Sequence, residues 1–274
     1  MKIFDEKFIK INEIENILRQ LFNDKVNIQL DEVVNLFRNI FNGEKKDCTE
    51  QSITKSSLNF KNAEHFYLTG LDIPCWISND GTCIKNIMII ASEPLRSENA
   101  FKLSNNLDGY NSIILNTPFS FHCFHEVGRQ EKNQYWDFIE KLVEEYQANV
   151  YLTDARKIWF AGWEQHSEFA NNIIFNNILK SEIDLIKPDF IITFGTTPLQ
   201  FLKVKEFSFK ENITDKVFVE NLTTNKYRVI PLIHPSKTAS GHRKKFLEFN
   251  EVYDKESNDT FRYLYLIRKI IKKI

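Results

Sequence analysis

The chain has 274 residues, with 36 Lys and Arg set against 37 Asp and Glu, for a formal net charge of -1. That balance excludes a polybasic tail protein or an acidic solvating chain, while a local basic groove on a neutral molecule stays open. Eight glycines and seven prolines exclude collagen-like or low-complexity architecture, and 42% hydrophobic with 27% charged residues is the make-up of a globular chain of one or two domains.

Apolar residues recur at helical spacing through 5–42, first at Phe8, Ile11, Ile14, Ile17, Leu18 and Leu21, then at Val33, Val34, Leu36, Phe37, Ile40 and Phe41. They predict two amphipathic helices closed by Asn42-Gly43. The polar stretch 43–57, with Glu44, Lys45, Lys46 and Asp47, predicts a linker. An N-terminal helical extension with its linker, 1–57, therefore precedes a body, 58–274. In the body, 86–91 (NIMIIA), 112–115 (SIIL), 149–152 (NVYL), 189–194 (DFIITF) and 227–233 (YRVIPLI) predict short strands, the last weakened or placed near an edge by Pro231. Helical patterns cover 135–146, 172–187 (stopped by Pro188), 196–202 and a basic C-terminal stretch, 260–274. Apolar strands alternating with helices predict an α/β fold, three layers α/β/α around a mainly parallel sheet.

The longest apolar runs, near 87–91 and 190–194, fall short of the roughly 20 residues needed to cross a bilayer, so no membrane partner is expected. The acidic residues Asp5 and Glu6 stand where a signal peptide would be apolar, which predicts a cytoplasmic protein. Cys48, Cys75, Cys83 and Cys123 form no zinc or iron–sulfur pattern, and His122, Cys123 and His125 have no standard metal spacing; no metal or cofactor is expected. The basic residues of the C-terminal helix, Arg262, Arg268, Lys269, Lys272 and Lys273, are read as a solvated face.

Each strand runs into residues that a core does not need: Ser92-Glu93-Pro94, Asn116-Thr117-Pro118-Phe119, Thr153-Asp154, Gly195-Thr196-Thr197-Pro198 and His234-Pro235-Ser236. In an open α/β sheet these positions share the carboxyl edge, where ligands bind. A Glu, an Asp, a His and an aromatic converging there make a candidate site.

With those residues the chain resembles the uracil-DNA glycosylase superfamily. Ile89-Ile90-Ala91-Ser92-Glu93-Pro94 is similar to the family's strand and Pro-containing turn, and Leu232-Ile233-His234-Pro235-Ser236, with Ser240, Arg243 and Phe246 downstream, is similar to its His-Pro-Ser leucine-loop motif. The stretch from Glu182 to Gly195 looks like the helix and strand between the two site motifs. Val150-Tyr151-Leu152-Thr153-Asp154 resembles the strand carrying a base-reading Asn, and Pro118-Phe119 the Pro-Phe that stacks on the flipped base. The resemblance covers about 86–246 in the right order. The chain departs from the family's pattern in having Ala91 for the first motif glycine, Glu93 directly before Pro94, and Asp154 where uracil readers have Asn. The cysteines of the family's iron–sulfur branch are missing from their positions.

The resemblance implies a monofunctional, cofactor-free DNA glycosylase that acts as a monomer on DNA, flips a base into its pocket and leaves an abasic site. It implies that Glu93 is the carboxylate near the sugar that orients water, a role Ser92 could fill only by positioning. His234 would donate to the departing base and Phe119 would stack on it. Ser236, Lys237, Ser240 and Arg243, with His242, Lys244 and Lys245, would meet phosphates, and 238–241 would be the loop that enters the duplex. Arg156 and Lys157 are expected at a phosphate or paired with Asp154. Asn116, in Leu115-Asn116-Thr117, rivals Asp154 as base reader. An ionised Asp only accepts hydrogen bonds, which suits the exocyclic amine of a cytosine and not the carbonyl of uracil. Release of plain cytosine would damage the host, so the expected substrate is uracil or, favoured by Asp154, a modified cytosine as in some phage genomes, with a role in repair or in anti-phage defence. The alternative on the same fold is a catalytically inactive nucleic-acid-binding module. An enzyme acting on free nucleotides is less attractive, because the chain has no Gly-rich phosphate loop.

Overall fold

The computed structural model describes residues 53–55, 68–72, 74–78, 83–92, 112–116, 134–160, 173–204, 218–219, 227–235, 239–249 and 258–271. The helices expected over 5–42 lie outside the described residues. In chain order the described elements are β1 (Ile53–Lys55), β2 (Leu68–Asp72), β3 (Cys75–Ile77), β4 (Lys85–Ala91), β5 (Ser112–Asn116), α1 (Gln134–Tyr146), β6 (Ala148–Asp154), β7 (Ile158–Phe160), α2 (Ile173–Ile186), β8 (Phe190–Phe194), α3 (Thr197–Phe201), β9 (Phe218–Val219), β10 (Tyr227–Leu232), α4 (Ser240–Phe249) and α5 (Asp259–Ile271). Among the described residues no helix is long and apolar enough to cross a membrane.

A six-stranded sheet has the order β3-β6-β4-β8-β10-β9. Its inner strands β6, β4, β8 and β10 are parallel, and the short edge strands β3 and β9 are antiparallel to their neighbours. Every residue of β6 and β8 is buried, as expected of parallel strands covered on both faces. Register and alternation assign the faces. Ile87, Val150 and Phe190 stand abreast, so Phe190 and Phe194 share a face. On that face Phe138 of α1 meets Phe194 edge-on at 6.0 Å and Tyr263 of α5 at 5.7 Å, while Tyr146 meets Phe190. On the other face Glu182 of α2 accepts from the Tyr151 hydroxyl at 2.7 Å. The three layers are thus α1 with α5, the sheet, and α2.

The amino end of the sheet is tied by Asn86. Its N–H donates to the Asp189 carboxylate at 2.8 Å, and its carbonyl accepts from the Asp189 N–H at 2.7 Å. Between α2 and β8, Lys187 takes a left-handed φ of 49° and Pro188 blocks further helix, so α2 stops where the sequence predicts. Pro231 lies opposite Thr193, while β9 pairs only with Tyr227 and Arg228 of β10. The proline's missing donor is thereby tolerated near the sheet's edge, as expected.

Two expectations need correction. The strand over 112–115 does not belong to the main sheet. As β5 it sits in a second, four-stranded sheet of order β1-β5-β2-β7. Its apolar run reads the same in either sheet, and only pairing partners decide. Within the predicted linker 43–57, Ile53–Lys55 forms β1 and pairs with β5, so the body reaches back into that polar stretch. The two sheets are joined by one bent ribbon, in which β2 leads into β3 and runs antiparallel to β6 leading into β7.

Phe138 joins α1, α5 and β8 at 1% exposure, so Phe138→Ala should cost about 3–5 kcal/mol of stability in urea unfolding. A loss below about 1 kcal/mol, the scale of a volume-conserving swap, would contradict this packing.

Candidate active site

In chain order the parallel strands are β4, β6, β8 and β10, yet in space they lie β6-β4-β8-β10. The winding reverses between β4 and β8, and at such a switch point the carboxyl ends of the strands open a crevice. Ser92 and Gly195 flank it. Gly195 has φ +80°, a left-handed turn that strains any side chain, and an added Cβ would sit 3.8 Å from the Ser92 hydroxyl. The Gly195 N–H donates to the Leu232 carbonyl at 3.0 Å, which ties the turn to the end of β10.

On one side of the crevice stands Asp154, 2% exposed and abreast of Ala91. Pairing continues past the strand ends, because Ala155 N–H donates to the Ala91 carbonyl at 2.9 Å and Arg156 N–H to the Ser92 carbonyl at 3.1 Å. Ser92 is half-buried between these partners. On the other side stands His234, edge-on to Phe194 at 5.7 Å. The loop carrying it is pinned at two successive carbonyls. Tyr263 donates its hydroxyl to the Ile233 carbonyl at 2.5 Å, and Arg243 donates to the His234 carbonyl at 3.3 Å. Burial, reinforced by the Arg243 charge, pushes the His234 imidazole down to about 4. At neutral pH it is therefore uncharged and carries one N–H.

Arg243, expected at a phosphate, is 3% exposed, with its Nε 2.5 Å from an Asp259 carboxylate oxygen. Its guanidinium is spent on the protein, because α5 presents Asp259 where α4 passes the His234 loop. Ser240 and Gly241, expected in a duplex-entering loop over 238–241, instead open α4 and are exposed. His242, Lys244 and Lys245 are exposed on the same helix. Glu93, Phe119, Ser236 and Lys237 lie outside the described residues.

Lys157, expected at a phosphate or paired with Asp154, forms ion pairs with Asp72 and Glu182. It is fully buried, 3.1 Å from Asp72 and 2.8 Å from Glu182, both of them also fully buried. Burial works against its ammonium, but the Glu182 and Asp72 carboxylates outweigh that and raise its pKa. Burial raises both carboxyls against the pull of Lys157. Asp72 and the role of Glu182 are what sequence reasoning missed. Positions 72, 157 and 182 share no spacing, and the visible signal was only an Asp shortly before Pro74 at a strand's end.

The rival base readers turn out to be neighbours. Asn116 ends β5 directly opposite Asp72, and the Asp72 carboxylate accepts the Asp154 N–H at 3.0 Å. The second sheet thus brings the end of β5 to the same corner as the end of β6.

A family model described as the uracil DNA glycosylase superfamily matches residues 85–255, more than half of the chain. The chain belongs to that superfamily. The matched segment begins with β4 and runs beyond α4, so it contains the whole carboxyl edge just described. Membership supports a DNA-glycosylase-type activity with DNA as the partner. No curated protein and no solved structure matches the chain significantly.

The His234 geometry makes a pH prediction. The folded imidazole titrates near 4 and the unfolded one near 6.5, so the unfolded chain takes up the proton first. Stability should fall as pH drops from 6.5 towards 4 and lose no more to this group below that. In an NMR titration Arg243→Met should move the His234 midpoint upward. An unmoved midpoint would show that the Arg243 charge does not act on the ring.

Proposed function

We propose that this chain is a monofunctional DNA glycosylase that hydrolyses the N-glycosidic bond of an extruded modified cytosine and leaves an abasic site. It works as a monomer in the cytoplasm, in defence against DNA that carries such bases. In this reading water adds to C1′ of the sugar as the bond to the base breaks. Glu93 orients that water and takes its proton, with Ser92 beside it as a positioning group, while His234 donates its N–H to the base that leaves with the bonding electrons. Phe119 stacks on the base, and Asp154 and Asn116 read its edge. Ser236, Lys237 and Ser240, with the exposed basic residues of α4, meet the phosphates.

The observation that carries the substrate reading is Asp154, 2% exposed at the carboxyl end of β6 and abreast of Ala91. A carboxylate only accepts hydrogen bonds when ionised, so it favours an exocyclic amine over a carbonyl at the position it reads. The neutral His234 supports the catalytic half, because an uncharged imidazole can share its N–H with a developing anion without being a buried cation beforehand.

A base-release assay tests this. Oligonucleotides with a single uracil, cytosine or modified cytosine, single- and double-stranded, would be incubated with the protein and abasic sites revealed with alkali. Release at modified cytosine and not at uracil is expected. Asp154→Asn should shift the preference towards uracil by about tenfold or more, the worth of one good base contact. Glu93→Gln should lower turnover by about 10²–10⁴ while DNA binding persists. Release of uracil by the unaltered chain would refute the reading of Asp154. DNA binding with no release from any substrate would favour the inactive module.

A further inference from the structure

Where the ribbon passes from one sheet to the other, its two sides do not match in length. Cys75 pairs with Leu152 and Leu71 with Ile158, so residues 72–74 lie opposite residues 153–157, two more on the β6–β7 side. Extra residues in an antiparallel pair bend the strand, re-aim a side chain and leave ladder groups to find other partners. Asp72 fills that gap. Its Oδ2 accepts from the Thr153 hydroxyl at 2.8 Å, the Asp154 N–H at 3.0 Å and the Lys157 ammonium at 3.1 Å. Its own N–H donates to the Lys157 carbonyl at 2.8 Å, and its Cα lies opposite Asn116. One fully buried residue therefore holds the carboxyl ends of β6 and β5 and the start of β7. Thr153 and Asp154 point to opposite faces of β6. By gripping the hydroxyl of one and the amide of the next, Asp72 sets which way Asp154 faces.

We propose that Asp72 is the positioning residue that aims Asp154, and with it the end of β5 at Asn116, into the base pocket. The proposal rests on the reading of Asp154 as a base reader and adds a residue that touches no substrate. Lys157 and Glu182 keep the Asp72 carboxylate in place, with Lys157 Nζ also held by the Thr153 hydroxyl oxygen.

The test separates the grip from the buried charge. In a Lys157→Met, Glu182→Gln background, Asp72→Asn keeps an oxygen that can accept the Asp154 N–H, whereas Asp72→Leu has the same shape and no acceptor. Two quantities are read: amide hydrogen exchange at Asp154, and the preference for modified cytosine over uracil in base release. The Leu variant should exchange faster at Asp154 and lose about tenfold or more of its preference, while the Asn variant holds both. Asp72→Asn alone, which leaves Lys157 with Glu182, should also keep the Asp154 amide protected if the altered background fails to fold. Equal exchange in the Asn and Leu variants, or equal preference despite different exchange, would overturn the proposal. If the unaltered chain releases no base, the proposed function fails by itself. The exchange comparison, run with an oligonucleotide-binding measurement in place of base release, then still decides whether Asp72 aims this corner.

Discussion

A single ammonium between two carboxylates, all three out of reach of water, holds this molecule's two sheets and a helix in one arrangement. Lys157 comes from the turn after β6, Asp72 from the end of β2, and Glu182 from the middle of α2. Taking such charges out of water costs several kcal/mol per ion, and the cost is offset only where the geometry supplies enough partners. Here Tyr151 and Thr153 from β6 and the amide of Asp154 donate into the pair of carboxylates, while Asp72 Oδ1 is buried without a hydrogen-bond partner among the described residues. Removing one member strands the others, at a cost of about 3–5 kcal/mol. The cluster is thus weak as a source of net stability, and it ties β2, the turn after β6 and α2 to one another.

The constraint reaches the site by adjacency. The cluster lies on the Thr153 face of β6, and one residue further along the strand is Asp154, beside Ala91 and Ser92. Across the crevice a second set of buried contacts does the same for His234. Asp259 holds Arg243, Arg243 holds the His234 carbonyl, and Tyr263 holds the carbonyl before it. Both sides of the crevice are therefore held in part through backbone groups. Burial keeps the imidazole uncharged, and the charge of the same Arg243 that fixes the loop adds to that effect.

Much of this was legible in advance. The runs in β4, β6, β8 and β10 are short, apolar and bounded by turn residues, which is the pattern of buried parallel strands. The polar residues that follow them marked the carboxyl edge, and the order of five short motifs pointed to the superfamily that matches 85–255. Less legible was everything that depends on which strands pair. The apolar run in β5 carries no mark of the sheet it joins, and Ile53–Lys55 hid in a polar stretch. Arg243 was expected at a phosphate, and Lys157 at a phosphate or paired with Asp154, because a basic residue near a site motif reads that way. Each was neutralised by a carboxylate from a distant part of the chain, Asp259 for one and Asp72 with Glu182 for the other.

The sequence by itself determined the periodicities, the stops and the chemical character of each strand's end: Ser92 and Glu93, Asp154, Gly195, and His234. These are local properties, set by side-chain burial at period two or 3.6 and by the restricted backbones of proline and glycine. Only the tertiary structure decided that Asp154 and Asn116 meet at one corner through Asp72, that Arg243 faces inward, and that His234 is uncharged. Those outcomes are set by pairing between residues far apart in the chain and by the loss of water around charges once they are brought together. Neither has a signature in the spacing of residues along a single chain.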